Sequence, residues 1–344
     1  MLKYLVRDFV LTFRRIKMDV AIKLIYNVAL LFIMMVPGIL MKKCGLCSDG
    51  FGKGLSNLVL YIAQPALTFV AYLRPYDEKI MINAIYVFIF SIILHALFAV
   101  VAMLCFKKAP DAMRRMLRFA TIFSNVAFMG IPLIAAVLED TYPGSTVYAL
   151  LYSVTFNVFL WSLGAWICTN GRDADNDGVD DHEEHKQKTS IWQAFTHPTT
   201  IASAIGLIFF IFPIHTYVNG TIIEESFVML KGLVAPLSMV VIGLRLADMS
   251  FKGMLKDRGM YVFIFLRHIA LPLLSLGLVK LVGLFIPLDP AVEMVTVILA
   301  AAPAATSATM FAEKFDCDAI YVSRLVTVST LISIVTIPLI LLLV

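Results

Sequence analysis

The sequence predicts an all-α polytopic membrane protein: ten transmembrane helices arranged as two inverted five-helix repeats, with crossing broken helices at the fourth and ninth spans. Three observations point there. The 344 residues are 60% hydrophobic and 15% charged, with a mean hydropathy of +0.88, whereas soluble domains carry about 25% charged residues. Ten apolar segments approach the roughly 20 residues that span a hydrocarbon core. Two prolines interrupt apolar segments at matching places: Pro132 lies 67 residues after Pro65, and Pro303 lies 67 after Pro236. A proline in a helix interior removes a hydrogen bond and clashes with the preceding turn. In lipid this is tolerated only where protein or a water-filled cavity satisfies the freed groups.

The segments follow in order. The first spans about 20–41 and stops at Lys42 and Lys43. The second, about 55–73, contains Gln64 and Pro65, and the third, about 80–105, holds His95 at mid-length. The fourth, about 119–138, carries Ser124, Asn125, Gly130 and Pro132. The fifth, about 147–168, holds Asn157, and the sixth covers about 195–213. The seventh, about 227–247, ends near Arg245 and Asp248, which are expected to pair with each other or with solvent. The eighth, about 260–285, contains Arg267, His268 and Lys280. Charges inside a span mark function by default; the alternative for Arg267 and Lys280 is that they snorkel toward opposite boundaries. The ninth, about 292–312, is rich in alanine around Pro303 and includes Ser307; the tenth covers about 322–343.

Residues 20–170 and 191–344 therefore form two repeats of five spans, joined by an acidic linker at 171–190. An odd number of spans per repeat forces opposite orientations, which is an inverted repeat. Lys and Arg concentrate in the loops after the first, third, seventh and ninth spans, so those loops are expected in the cytoplasm. Both termini then lie outside, the central loop is cytoplasmic, and the membrane expected is the plasma (cell) membrane. Residues 1–19 conflict with this, because they are basic yet would lie outside. They read as an amphipathic helix on the membrane surface, or else translation starts at Met18.

Polar residues inside the spans are the candidates for a site. Asn125 has two donors and an acceptor and lipid offers it no partner, so it either contacts a substrate or bonds another helix. Ser124, Gln64, Asn157 and Ser307 join it as candidate lining. Broken helices would turn their N-terminal ends, with partial positive charge, toward an anion. His95 is read as a core histidine or a proton relay. No Asp or Glu lies near the centre of any span.

The linker fits an EF-hand pattern, with Asp173, Asp175, Asp177, Val179, Asp181 and Glu184 at the ligand positions and Gly178 at the turn. It reads either as a calcium loop or as a solvated acidic linker. No cofactor is otherwise required. Cys44 and Cys47 form a CxxC without evident partners, and Asn219-Gly220-Thr221 is a glycosylation sequon. The chain lacks a nucleophile elbow, an HExxH and paired carboxylates at mid-membrane, which argues against an enzyme.

The stretches FSNVAFMGIPLIAAVLED, LYIAQPALTF, APLSMVVIGLRLAD and AAPAATSATMFAEKFDCD resemble the auxin efflux carrier family. That family includes plant auxin exporters and prokaryotic permeases for small carboxylates such as malate and malonate. The resemblance covers about 20–344. It implies ten spans, inverted repeats, a crossover at Pro132 and Pro303, and a small organic anion as cargo moved by alternating access. By position, Asn125, Gly130, Pro132 and Pro303 match the family's pattern. The partners expected are that anion and the lipid bilayer, with a homodimer left open and no nucleic acid. The competing reading is a membrane-embedded ligand or calcium sensor with a carrier-like core.

Overall fold

The computed structural model describes residues 26–48, 50–169, 192–247, 257–315 and 317–344. The N-terminal segment, the acidic linker with its calcium-loop residues, and Asp248 lie outside them. Among the described residues the chain is helical, with no β-strand beyond one isolated bridge.

Among the described residues seven helices are long and apolar enough to cross a membrane. They are α1 (Tyr26–Lys43), α2 (Phe51–Tyr72), α3 (Glu78–Cys105), α6 (Ser145–Thr169), α8 (Ile222–Ala247), α9 (Arg258–Gly283) and α12 (Ala319–Leu341). Three shorter apolar helices accompany them: α5 (Val126–Val137), α7 (Pro198–Ile211) and α10 (Pro290–Ala301). Two more polar pieces are α4 (Asp111–Ile122) and α11 (Ser307–Lys314), and the remaining helices are single turns at Trp192–Phe195 and His215–Val218. Each of the ten predicted segments corresponds to one long helix, one short apolar helix, or a broken pair.

Aspartates start several helices by accepting hydrogen bonds from otherwise unpaired first-turn amides. Asp77 accepts from Lys79 and Ile80 at the start of α3, and Asp257 from Gly259 at α9. Asp289 accepts from Ala291 at α10, ahead of a proline at the first helical position, and Asp318 accepts from Tyr321 at α12.

The helices pack as two groups. In the first, α1 lies against the second half of α8, and α2 lies against α7 and the first half of α8. Backbones touch here. A Cβ on Gly243 would sit 2.1 Å from the Met35 carbonyl oxygen, and one on Gly38 would sit 2.2 Å from that of Val240. In the second group α10 packs on α3 and α6, while α4 packs on α9 and α12.

The second group is organised around two breaks. α4 ends at Ile122, Phe123 leaves it extended, Asn125 turns the chain (φ −77°, ψ 63°), and α5 begins at Val126. α10 ends at Ala301, and α11 begins at Ser307. The breaks meet as a short antiparallel bridge between Ser124 and Ala304. The Asn125 amide donates to the Pro303 carbonyl at 2.7 Å, and the Ala305 amide donates to the Phe123 carbonyl at 2.8 Å.

This corrects the expected equivalence of the two prolines. In the bridge Pro303 takes the role of Phe123, not of Pro132. Pro303 does break its helix, because it holds the preceding Ala302 in an extended conformation (φ −57°, ψ 147°). Pro132 does not: it sits in the first turn of the regular part of α5. Just before it, residues Val126–Gly130 form a π-turn, in which the Ile131 amide reaches back five residues to Val126. The wider turn makes room for the proline ring. Pro65 and Pro272 are accommodated in the same way, behind Val59–Ala63 in α2 and Leu266–Ala270 in α9.

One further expectation is corrected. Arg267 does not snorkel; it is fully buried at the crossing. Lys280 pairs with Glu293 in the first turn of α10.

Candidate functional site

A cavity of about 530 Å³ opens between the two helix groups. Its inner end is formed by the extended breaks and the helix starts that follow them: Ser124, Asn125, Val126 and Ala127 on one side, Ala305, Thr306 and Ser307 on the other. Both α5 and α11 therefore present their N-terminal ends to it. Its outer end is lined by Lys42, Ser48, Gly50 and Lys53 of the α1–α2 connection and by Glu313 and Ala319 around the α11–α12 connection.

Asn125 lies at the inner end, 2% exposed. Its backbone is used up in the crossing: the amide bonds to Pro303, and the carbonyl accepts from Gly130 at 2.9 Å and Met129 at 3.2 Å. Its Oδ1 accepts from the Phe128 amide at 3.4 Å, a long cap for the start of α5. Its Nδ2 is buried with no partner among the described residues. A buried amide donor without an acceptor costs free energy, and the residue that carries it belongs to the cavity lining.

Gln64, on α2, faces Asn125's helix. Its Nε2 donates to the Ala127 carbonyl, and its Oε1 is buried and unpaired. Asn157, on α6, donates to the hydroxyls of Thr199 (3.4 Å) and Thr200 (3.3 Å) on α7, and His197 bonds the Thr199 hydroxyl at 2.8 Å. Phe128, Phe156, Leu160, Trp161 and Met310 supply the apolar wall.

Five of the expected site residues thus share one cavity: Gln64, Ser124, Asn125, Asn157 and Ser307. Gly130, Pro132 and Pro303 lie outside its lining. Gly130 instead admits α10, since a Cβ there would be 2.6 Å from Leu299 Cδ2.

Arg245 was not among the expected site residues. It lines the cavity and donates from Nη1 to the Thr306 carbonyl at 2.7 Å and the Thr309 hydroxyl at 2.8 Å. Its position at the end of an apolar run suggested only a boundary charge. Among the described residues it gives the lining, with Lys42 and Lys53, three cations against one carboxylate, Glu313. His95 sits away from the cavity, stacked on Phe159 with its Nδ1 2.7 Å from the Ser91 carbonyl oxygen, as a core histidine would.

Two ion pairs lie at the opposite end of α2 and at the start of α3. Arg74, just past α2, bonds Glu139 at 2.6 Å, and Lys79 bonds Asp289 at 2.7 Å. Glu139 also accepts from the Gly144 amide at 3.0 Å and the Thr146 amide at 2.8 Å. Burial alone would push the Glu139 carboxyl up. The Arg74 charge and the two amides outweigh it and hold the carboxyl below its ordinary value.

A family model described as membrane transport protein matches residues 23–341. An uncharacterized transporter of Methanothermobacter thermautotrophicus is 24% identical over 310 residues, covering 89% of this chain and 94% of that protein.

Proposed function

The chain belongs to the membrane transport protein family, and on that premise we propose that it is a secondary carrier that moves a small organic anion by alternating access. The observation that supports this most is the inner end of the cavity. Two helix N-termini, the unpaired Nδ2 of Asn125 and the Arg245 guanidinium converge there, and all of them favour negative charge. A carboxylate bound there would accept from Asn125 and complete its hydrogen bonding.

In this reading the ten apolar segments all cross the membrane, and the two repeats are inverted. The reciprocal bonds between Asn125 and Pro303 and between Ala305 and Phe123 support a two-fold relation between the halves. So do the aspartate caps at Asp77 and Asp257, which stand 180 residues apart like Phe123 and Pro303. The cavity is open toward the α1–α2 connection, the cytoplasmic side by the positive-inside rule. The second helix group then rocks against the first. The Arg74–Glu139 pair joins the two groups on the closed side, so it must break when that side opens.

The test is uptake of labelled malate, malonate and indole-3-acetate into proteoliposomes holding the purified protein, with and without proton and sodium gradients. Saturable uptake of one acid, lost in Asn125→Ala, supports the carrier reading. Binding of an acid without flux refutes it and favours a sensor.

A further inference from the structure

We propose that Arg267 gives the crossover its preference for an anion, by supplying a buried positive charge that offsets the two C-terminal helix ends meeting there. This rests on the carrier reading above.

Arg267 lies in the π-turn of α9 and is fully buried. Its Nε donates to the Ala302 carbonyl at 3.0 Å, and its Nη2 donates to Ala302 at 2.6 Å and Ala300 at 2.8 Å. Its Nη1 donates to the Thr121 carbonyl at 3.0 Å. Thr121 belongs to the last turn of α4, and Ala300 and Ala302 to the end of α10. One guanidinium therefore caps the C-terminal ends of both broken helices. Among the described residues no carboxylate pairs with it.

Hydrogen bonding alone does not require this residue. The carbonyls need donors, which a neutral side chain also has. A formal charge inside a membrane span is expensive and marks function by default. The arithmetic of the crossing gives that charge a purpose. Each helix end carries roughly half an elementary charge, positive at the N-terminus and negative at the C-terminus. The crossing gathers two ends of each sign, which sum to roughly zero. With Arg267 in place the C-terminal ends are offset, and the N-terminal ends of α5 and α11 face the cavity unopposed. The crossing then holds about one positive charge, suited to a carboxylate. Arg267 is a positioning residue in this account: it touches helix ends, and the helix ends touch the cargo.

The test compares an acid with its uncharged primary amide. The acid is whichever of malate, malonate and indole-3-acetate the wild type accumulates. Amide competition against its uptake gives the acid-over-amide preference of wild type, Arg267→Lys and Arg267→Met. Thermal unfolding of each purified protein reports folding separately. The expected result is that Arg267→Lys keeps the preference, while folded Arg267→Met loses about tenfold or more of it, the equivalent of about 1.4 kcal/mol. A folded Arg267→Met with the wild-type preference overturns the proposal, since a purely structural residue would lower acid and amide alike. If Arg267→Met does not fold, Arg267→Gln decides. Glutamine keeps N–H donors for the helix-end carbonyls and removes only the charge. Preference lost in Arg267→Gln supports the proposal, and preference kept overturns it. A wild type that accumulates none of the acids sinks the carrier reading itself.

Discussion

The amide of Asn125 bonds the carbonyl of Pro303 across 2.7 Å, so the residue best placed to meet a cargo on one half of the chain is fixed by the other half. The backbone of Asn125 builds the crossing while its side chain remains available to the cavity.

Asn125→Ala should therefore separate transport from folding. The substitution keeps all three backbone bonds and removes a long cap, which costs about 1 kcal/mol of stability. It also removes a donor to a charged ligand, worth about 1.5–3 kcal/mol, so uptake should fall about tenfold or more. Proteoliposome flux and a thermal unfolding curve on the same preparation check both halves.

Arg245→Gln should weaken binding more than turnover. Glutamine retains a donor for the Thr306 carbonyl, and only the charge facing the cavity is lost. KM for the anion should rise about tenfold, as expected for a hydrogen bond to a charged group, with kcat changing less. A drop in kcat at constant KM would place Arg245 outside the binding site.

Gly243→Ala should destabilise the first helix group. The new methyl would overlap the Met35 carbonyl at 2.1 Å, and backbone offers no easy way to yield. Overpacking of this kind costs about 1–3 kcal/mol, visible as a lower unfolding temperature in detergent. Gly277, with nothing within 4 Å of its Cβ position, is the control; alanine there should be neutral or slightly stabilising.

The Glu139 carboxyl gives stability a dependence on acid. Its value in the folded chain lies below the ordinary 4.5, so its contribution is complete above about pH 4.5 and is lost as pH falls toward the lowered value. Unfolding temperatures measured from pH 7 down to pH 3 should show this loss in the wild type and a smaller one in Glu139→Gln. The same variant lacks the charge that holds Arg74. It should therefore label faster than the wild type at a cysteine placed at Ser145, inside the closed side.

Much of this was legible from composition and pattern. Hydropathy located ten apolar segments, and the polar residues Gln64, Ser124, Asn125, Asn157 and Ser307 fall around one cavity because lipid gives such groups nowhere else to go. The meaning of the prolines was not legible. Pro132 and Pro303 look alike in sequence, yet a π-turn absorbs one and the other breaks its helix; that choice depends on tertiary contacts. Arg267 also misled. A lone arginine near a predicted boundary reads as snorkelling, and nothing local reveals that two carbonyl-bearing helix ends, one of them 146 residues away, converge on it.

The π-turns also change how these helices should be read on a wheel. Each inserts one residue beyond the regular repeat, so faces before and after it are offset by about 100°. Ser56 and Gln64, eight apart on α2, both line the cavity. On a regular helix eight residues would leave them about 80° apart, but with one residue absorbed by the Val59–Ala63 turn the interval behaves as seven and closes to about 20°. A mutational scan of α2 plotted with one constant period would scatter the cavity residues over two faces. Plotted with a one-residue step at the π-turn, they fall on one stripe.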